Sequence, residues 1–135
     1  MIVTIDPLLS AEELAEAQRL LKDASWADGR ITAGSQAALV KNNQQLAEDE
    51  KHLPALRRLV MQALSRNATF FAAALPLKLL PPFFNRYAGA SNTYGAHVDG
   101  AMRQAPDGSY VRTDLSATLF LSDPGSYDGG ELQIE

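Results

Sequence analysis

The stretch Tyr94-Gly95-Ala96-His97-Val98-Asp99-Gly100 carries the most information about this chain. It contains one of only two histidines, and a carboxylate follows two positions later. In an extended strand, residues i and i+2 point to the same face, with Cα atoms about 6.6 Å apart. An imidazole and a carboxylate on one face are two of the three ligands in the His–carboxylate–His site that holds non-haem Fe(II). The stretch therefore predicts a metal-binding pair, His97 and Asp99; the alternative is a surface histidine beside a turn aspartate.

The composition limits the classes of protein to which the chain can belong. Its 135 residues, 46% of them hydrophobic, fit one domain or part of one. A net charge of −4 without a basic cluster argues against a nucleic-acid partner. The chain has no cysteine, which excludes disulfides and thiolate metal sites. The longest apolar run, 70–77, is too short to span a bilayer, and no secretory signal is recognised, so we expect a cytoplasmic protein without a membrane partner.

The amino-terminal half carries two helix signals. Ser10 and Glu13 have the spacing of a capping box, which predicts a helix over 11–22 with Leu14, Ala17 and Leu21 on one stripe. A second helix is predicted over 54–68, because apolar residues there recur at the spacing of one helical face. Pro54 suits its first turn.

The pattern beyond residue 75 predicts strands. Prolines 76, 81 and 82 exclude a helix interior, and the segment 114–121 alternates apolar and polar residues. The loops are predicted at 88–92 and 100–108. Strands are predicted at 2–5, 83–87, 93–98, 114–121 and from 131 onwards, and 93–98 is expected to return beside 83–87 after the loop 88–92. Helices followed by strands indicate the α+β class, with 1–75 as helical support and 76–135 as the strand region. Because a strand starting at 131 needs a neighbour, we expect the natural polypeptide to continue past Glu135.

Several motifs in a fixed order resemble one enzyme family. They are Arg86-Tyr87-Ala88-Gly89, the stretch 94–99, the strand 115–122 and Gly129-Gly130-Glu131-Leu132, together with the segment Lys41-Asn42-Asn43-Gln44. This combination resembles the prolyl-4-hydroxylase-like Fe(II)/2-oxoglutarate dioxygenases and is most similar to the bacterial PKHD-type hydroxylases. The resemblance covers nearly the whole chain.

The resemblance implies an architecture and a set of cofactors. The fold would be amino-terminal helices packed on a double-stranded β-helix, or jelly-roll, of which 1–135 would hold only the first strands as the amino-terminal part of a larger dioxygenase domain. The cofactors would be Fe(II), with 2-oxoglutarate as cosubstrate, and ascorbate. His97 and Asp99 match the first two iron ligands of the family. The family's third ligand, a histidine, and its basic residue for the far carboxylate of 2-oxoglutarate lie on later strands, so we expect this chain to be inactive alone.

The same resemblance suggests residues around the cosubstrate. Tyr87 matches a family tyrosine that faces 2-oxoglutarate, and a phenol there can donate a hydrogen bond to a carboxylate; the alternative is a core tyrosine. Tyr94 is interpreted as packing. Thr118 and Phe120 border the cosubstrate pocket if their face of the predicted strand lines the barrel, and are otherwise ordinary core.

Three other residues need an interpretation. His52 precedes the second predicted helix beside Lys51, and an exposed histidine explains it better than a third metal ligand does. Arg103 and Arg112 bracket a polar loop that either covers the mouth of the barrel or is merely solvated.

The predicted function is an Fe(II)- and 2-oxoglutarate-dependent hydroxylase, an oxidoreductase that couples oxidative decarboxylation of 2-oxoglutarate to C–H hydroxylation. The alternative is a non-catalytic jelly-roll binding module in which His97 and Asp99 are incidental. The sequence leaves open whether the substrate is a peptide or a small molecule, and whether the chain forms a homo-oligomer.

Overall fold

A computed structural model describes residues 1–134 and shows a mixed α+β fold. Its three helices are α1 (Ala11–Lys22), α2 (Leu53–Arg66) and α3 (Ala68–Ala74). Its strands are β1 (Trp26–Asp28), β2 (Lys41–Asn42), β3 (Gln44–Leu46), β4 (Asn85–Arg86), β5 (Thr93–Tyr94), β6 (Met102–Gln104) and β7 (Tyr110–Arg112). The predicted α+β class is confirmed.

Helix α1 begins where the capping box predicts. The Ser10 hydroxyl accepts a hydrogen bond from the Glu13 backbone N–H at 3.1 Å, and the Glu13 carboxylate accepts one from the Ser10 N–H at 2.8 Å. Two amide groups without helical partners are thereby satisfied. Ala17 and Leu20 are the buried residues of the helix.

Helix α2 ends at an asparagine that starts the next helix. The Asn67 side chain accepts a hydrogen bond from the Phe70 N–H at 2.8 Å, which caps α3. The predicted helix 54–68 is confirmed as α2, whereas α3 was not predicted. The buried face of α2 joins α1, β3 and the residue before β4 in one core, whose members are Ala17, Leu20, Leu46, Leu53, Leu56, Val60 and Phe84.

The strands form three small antiparallel sheets. Their orders are β1-β3-β4, β2-β5 and β6-β7. Asn43 separates β2 from β3, so the single segment Lys41–Leu46 contributes to two of these sheets. The side chains of Lys41 and Gln45 in this segment are buried, and the Lys41 Nζ donates a hydrogen bond to the Gln45 Oε1 at 3.3 Å.

Several predicted strands are not formed in the described part of the chain. Segments 2–5, 114–121 and 131–134 carry no assigned strand, although Leu119 and Leu121 do pack against the core as their alternation predicts. The alternating pattern is present, but a strand also needs a partner within hydrogen-bonding distance. The predicted strand 83–87 is reduced to β4, and the predicted loop 100–108 instead contains β6 and leads into β7.

Two further expectations concern the whole fold. Three separate small sheets do not establish a double-stranded β-helix, which stays a prediction. Among the helices of residues 1–134, none has the length and apolar character that crossing a membrane requires.

Candidate metal-ligand pair

His97 and Asp99 lie in the irregular segment that follows β5. The predicted returning strand 93–98 ends at Tyr94, and its partner is β2 rather than the segment 83–87. Gly95 continues the pairing for one residue, since its N–H donates to the Val40 carbonyl at 2.9 Å. A Cβ at Gly95 would come 3.1 Å from the Val40 Cβ, so the two chains approach closely at this point. The short β2-β5 sheet thus determines where the segment with His97 and Asp99 begins.

Two contacts hold the His97 imidazole. Its Nδ1 lies 2.8 Å from the carbonyl oxygen of Gly95. Its ring stacks on that of Tyr94, with centroids 3.7 Å apart and an angle of 11° between the planes. Because a carbonyl oxygen can only accept, Nδ1 must carry the hydrogen of this bond. In a neutral imidazole, the lone pair is then on Nε2.

The Nε2 atom of His97 faces the carboxylate of Asp99. Nε2 and Oδ1 are 3.3 Å apart, and in the neutral ring both atoms carry lone pairs. Such an arrangement is favourable only if the imidazole is protonated or if a cation lies between the two atoms. When two ligand atoms each lie about 2.1 Å from a first-row metal ion and the ligand–metal–ligand angle is a right angle, the two atoms are about 3.0 Å apart. The pair therefore fits two adjacent positions of a metal ion, with the Gly95 carbonyl acting as the usual outer partner of a metal-binding histidine.

The pair does not make a complete site within residues 1–134. No group of three metal-ligating side chains is found among these residues. His52, the other histidine, lies at the start of α2, where its Nε2 is 2.7 Å from the Asp23 carboxylate. The side chain of His52 is 19% exposed rather than fully solvated, so the expected exposed histidine is instead one paired with Asp23. This contact of His52 with Asp23 agrees with the interpretation that His52 is not the third metal ligand.

Tyr94 stacks on the His97 ring of the pair. Desolvation raises the pKa of the Tyr94 phenol, and the negative charge of Asp99 raises it further, whereas Arg103 opposes them. Directly across the β2-β5 sheet, Lys41 is the register partner of Tyr94, and its Nζ lies 5.3 Å from the ring centroid. The interpretation of Tyr94 as packing agrees with these contacts, and the residue that it packs against is His97 itself.

The remaining predicted site residues are exposed. Tyr87 is 49% exposed and directly follows β4. Thr118 and Phe120 lie in the irregular segment before residue 121, where the Phe120 side chain faces solvent. The cosubstrate-binding roles of Tyr87, Thr118 and Phe120 stay predictions.

Two cations near the pair were not predicted as site residues. Lys41 is buried, and Arg103, expected in a polar loop, instead lies in β6 with its guanidinium carbon 5.5 Å from the Phe83 ring. The sequence gives no local sign that Lys41 is buried, because its burial depends on the packing of β2 against distant segments. The dipeptide Asp107-Gly108 is common in the turns of β-hairpins and could have predicted the pairing of β6 with β7.

Fold and site together define a class of protein. The chain is a mixed α+β domain in which the His97 imidazole and the Asp99 carboxylate lie 3.3 Å apart, a spacing that two neighbouring ligands of a first-row metal ion could have. Such a pair is typical of non-haem metal proteins with nitrogen and oxygen ligands.

Comparison with known sequences identifies the family. The chain is 63% identical over 134 residues to a PKHD-type hydroxylase of Azoarcus sp. (strain BH72), and 62% identical over 135 residues to one of Nitrosomonas eutropha. It is 53% identical over 134 residues to the PKHD-type hydroxylase YbiX of Escherichia coli (strain 55989 / EAEC). Each match covers 99% of this chain and 59–60% of the relative. No protein-family model matches the chain.

The chain matches PKHD-type hydroxylases over nearly its whole length, which confirms the resemblance that the sequence motifs predicted. It spans about 60% of the length of the relatives that it matches.

Proposed function

We propose that the chain supplies the first two metal ligands of an Fe(II)- and 2-oxoglutarate-dependent hydroxylase. The observation that carries the proposal is the 3.3 Å approach of His97 Nε2 to Asp99 Oδ1, with Nδ1 already engaged by the Gly95 carbonyl. The names of the relatives support a hydroxylase. When bound, Fe(II) would supply the oxidative chemistry that couples decarboxylation of 2-oxoglutarate to hydroxylation of a C–H bond.

The residues of this chain would bind and orient. His97 would donate its Nε2 lone pair to the metal, while the Gly95 carbonyl and the Tyr94 ring prevent the imidazole from rotating. Asp99 would contribute an anionic oxygen and lower the net charge of the site. Tyr87 would donate a hydrogen bond to a carboxylate of 2-oxoglutarate, and Thr118 and Phe120 would border its pocket. The third ligand would be a histidine on a later strand, as the family resemblance implies, so two-ligand binding by this chain is expected to be weak.

Metal titration of matched histidine variants tests the proposal. Co(II) or Mn(II), added without oxygen, should shift or broaden the nuclear magnetic resonance signals of the His97 ring and raise the melting temperature, because the metal binds only the folded chain. The variant His97→Ala should lose both effects. His52→Ala removes the other imidazole and should keep them. Equal metal responses in wild type and His97→Ala would show that the pair is incidental, as in a non-catalytic binding module.

A further inference from the structure

Lys41 is a buried cation that makes no direct ion pair within the described residues, although the carboxylate of Asp28 lies near enough to act on its charge. The residue is 8% exposed, and it forms no ion pair with any of residues 1–134. Its Nζ donates to two neutral oxygens, Thr32 Oγ1 at 3.4 Å and Gln45 Oε1 at 3.3 Å. An ammonium has three hydrogens, so one is left for another acceptor. Fully buried lysines are rare unless they are paired, which makes Lys41 a candidate for binding an anion.

Arg103 places a second positive charge beside the first. Its Nη1 donates to the backbone carbonyl of Thr32 at 3.5 Å, so Thr32 contacts both cations. Desolvation lowers the pKa of Lys41, the charge of Arg103 lowers it further, and the carboxylate of Asp28 opposes both effects. Arg103 also lacks a carboxylate partner in the described part of the chain. Two adjacent cations destabilise each other, and an anion bound between them would relieve this repulsion.

The two cations lie next to the metal-ligand pair. Lys41 contacts one ring, that of Tyr94, and the same ring stacks on the His97 imidazole. An anionic group held at Lys41 would therefore lie one aromatic ring away from the metal-ligand pair.

We propose that Lys41 and Arg103 bind a carboxylate of the hydroxylated substrate, one carboxylate oxygen to each cation. The inference rests on the proposed function and adds the chemical class of its substrate, an organic anion. A carboxylate has two oxygens in one plane, which match one donor from an ammonium and one from a guanidinium. The cosubstrate is assigned elsewhere, because the family resemblance implies that its far carboxylate meets a basic residue on a later strand.

Carboxylate titration of the metal-free chain tests the inference. Acetate and N-acetylglycine, followed by backbone amide shifts, should perturb Thr32, Lys41 and Arg103. Lys41→Met should weaken binding about tenfold or more, as expected for losing a hydrogen bond to a charged group. The control Lys22→Met removes the same charge from the exposed end of α1 and should leave binding unchanged. Arg103→Met should weaken binding as well, which keeps the test available if Lys41→Met does not fold.

Two results would overturn the inference. If carboxylate binding were unchanged in both Lys41→Met and Arg103→Met, these two residues would not form the anion site. The second result concerns 2-oxoglutarate. If 2-oxoglutarate bound more tightly with Zn(II) and lost affinity in Lys41→Met, the two cations would bind the cosubstrate instead of the substrate. Because the titration uses no metal, His97→Ala should retain carboxylate binding, so a failure of the metal site and a failure of the anion site give different results.

Discussion

At the scale of single residues, the contact between Gly29 and Asn43 determines the geometry of the segment that carries Lys41. Asn43 is 3% exposed and separates β2 from β3. The Gly29 N–H donates to the Asn43 carbonyl at 2.9 Å, which draws the two backbones together. A Cβ at Gly29 would lie 1.8 Å from the Asn43 Oδ1 and 3.1 Å from its carbonyl oxygen. Glycine is therefore needed at position 29 for close approach.

Substitution of this glycine should destabilise the chain. We expect Gly29→Ala to lower the free energy of unfolding by about 1–3 kcal/mol, since the Asn43 side chain must move out of a buried position. Gly34→Ala is the matched control, because nothing lies within 4 Å of the added Cβ there. Urea denaturation of both variants measures the difference. Equal midpoints for the two would mean that the Asn43 side chain repacks at no cost.

At the scale of elements, Glu50 connects the start of β1 to the start of α2. The Glu50 carboxylate accepts hydrogen bonds from the Ser25 N–H at 2.9 Å and from the His52 N–H at 3.3 Å. The bond from Ser25 is the main cause that lowers the pKa of Glu50 below its usual value of 4.5. A carboxyl whose pKa is lower in the folded state stabilises the fold above the unfolded pKa. This contribution is lost as the pH falls through the folded pKa.

The pH dependence of a Glu50 variant follows from this sign. Glu50→Gln should unfold at lower urea concentration than wild type at pH 7. The difference should begin to shrink as the pH falls below about 4.5 and should vanish only below the folded pKa, where wild-type Glu50 is protonated in both states. Glu12→Gln, an exposed first-turn residue of α1, controls for the change in net charge. A difference in midpoint that is constant from pH 7 to pH 3 would show that the carboxylate charge does not matter at this connection.

The sequence predicted helices better than strands, because the signals of a helix lie within a few neighbouring residues. Ser10 and Glu13 signal the start of α1 within four residues, and the structure forms that cap. The segment 114–121 has an alternating pattern, yet it forms no strand in the described region, because pairing depends on a distant partner. For the same reason β5 was predicted correctly as a strand start but assigned the wrong neighbour.

Prediction of the candidate site was likewise limited to residues that lie close together in the sequence. His97 and Asp99 were found because a local spacing relates them. Lys41 was recognised only within a family motif, and its burial comes from Thr32, Gln45 and Tyr94, which lie on other segments or across a sheet. No pattern within a few residues of Lys41 could indicate this environment.

At the scale of the whole molecule, the chain is unusually exposed. Its accessible surface is 9833 Å², whereas a compact monomer of 14.6 kDa exposes about 6,900 Å². Every buried residue of the described region lies at or before Phe84. Large apolar side chains are exposed on both sides of Phe84, and those after it are Tyr87, Val98, Met102, Tyr110, Leu115, Phe120, Tyr127, Leu132 and Ile134. Because this later part has no buried residue, few apolar contacts hold it.

The exposed apolar surface should bind a hydrophobic dye in the native state. We expect the folded chain to enhance the fluorescence of anilinonaphthalene sulfonate. Phe120→Ser should reduce that signal and change the free energy of unfolding by no more than about 0.5 kcal/mol, because Phe120 is 56% exposed. Leu119→Ser alters the neighbouring side chain, which packs on the core, and should instead cost about 1–2 kcal/mol and increase dye binding. If Phe120→Ser destabilised the chain as much as Leu119→Ser, the segment 114–121 would have both faces covered, and the excess surface would have to lie elsewhere.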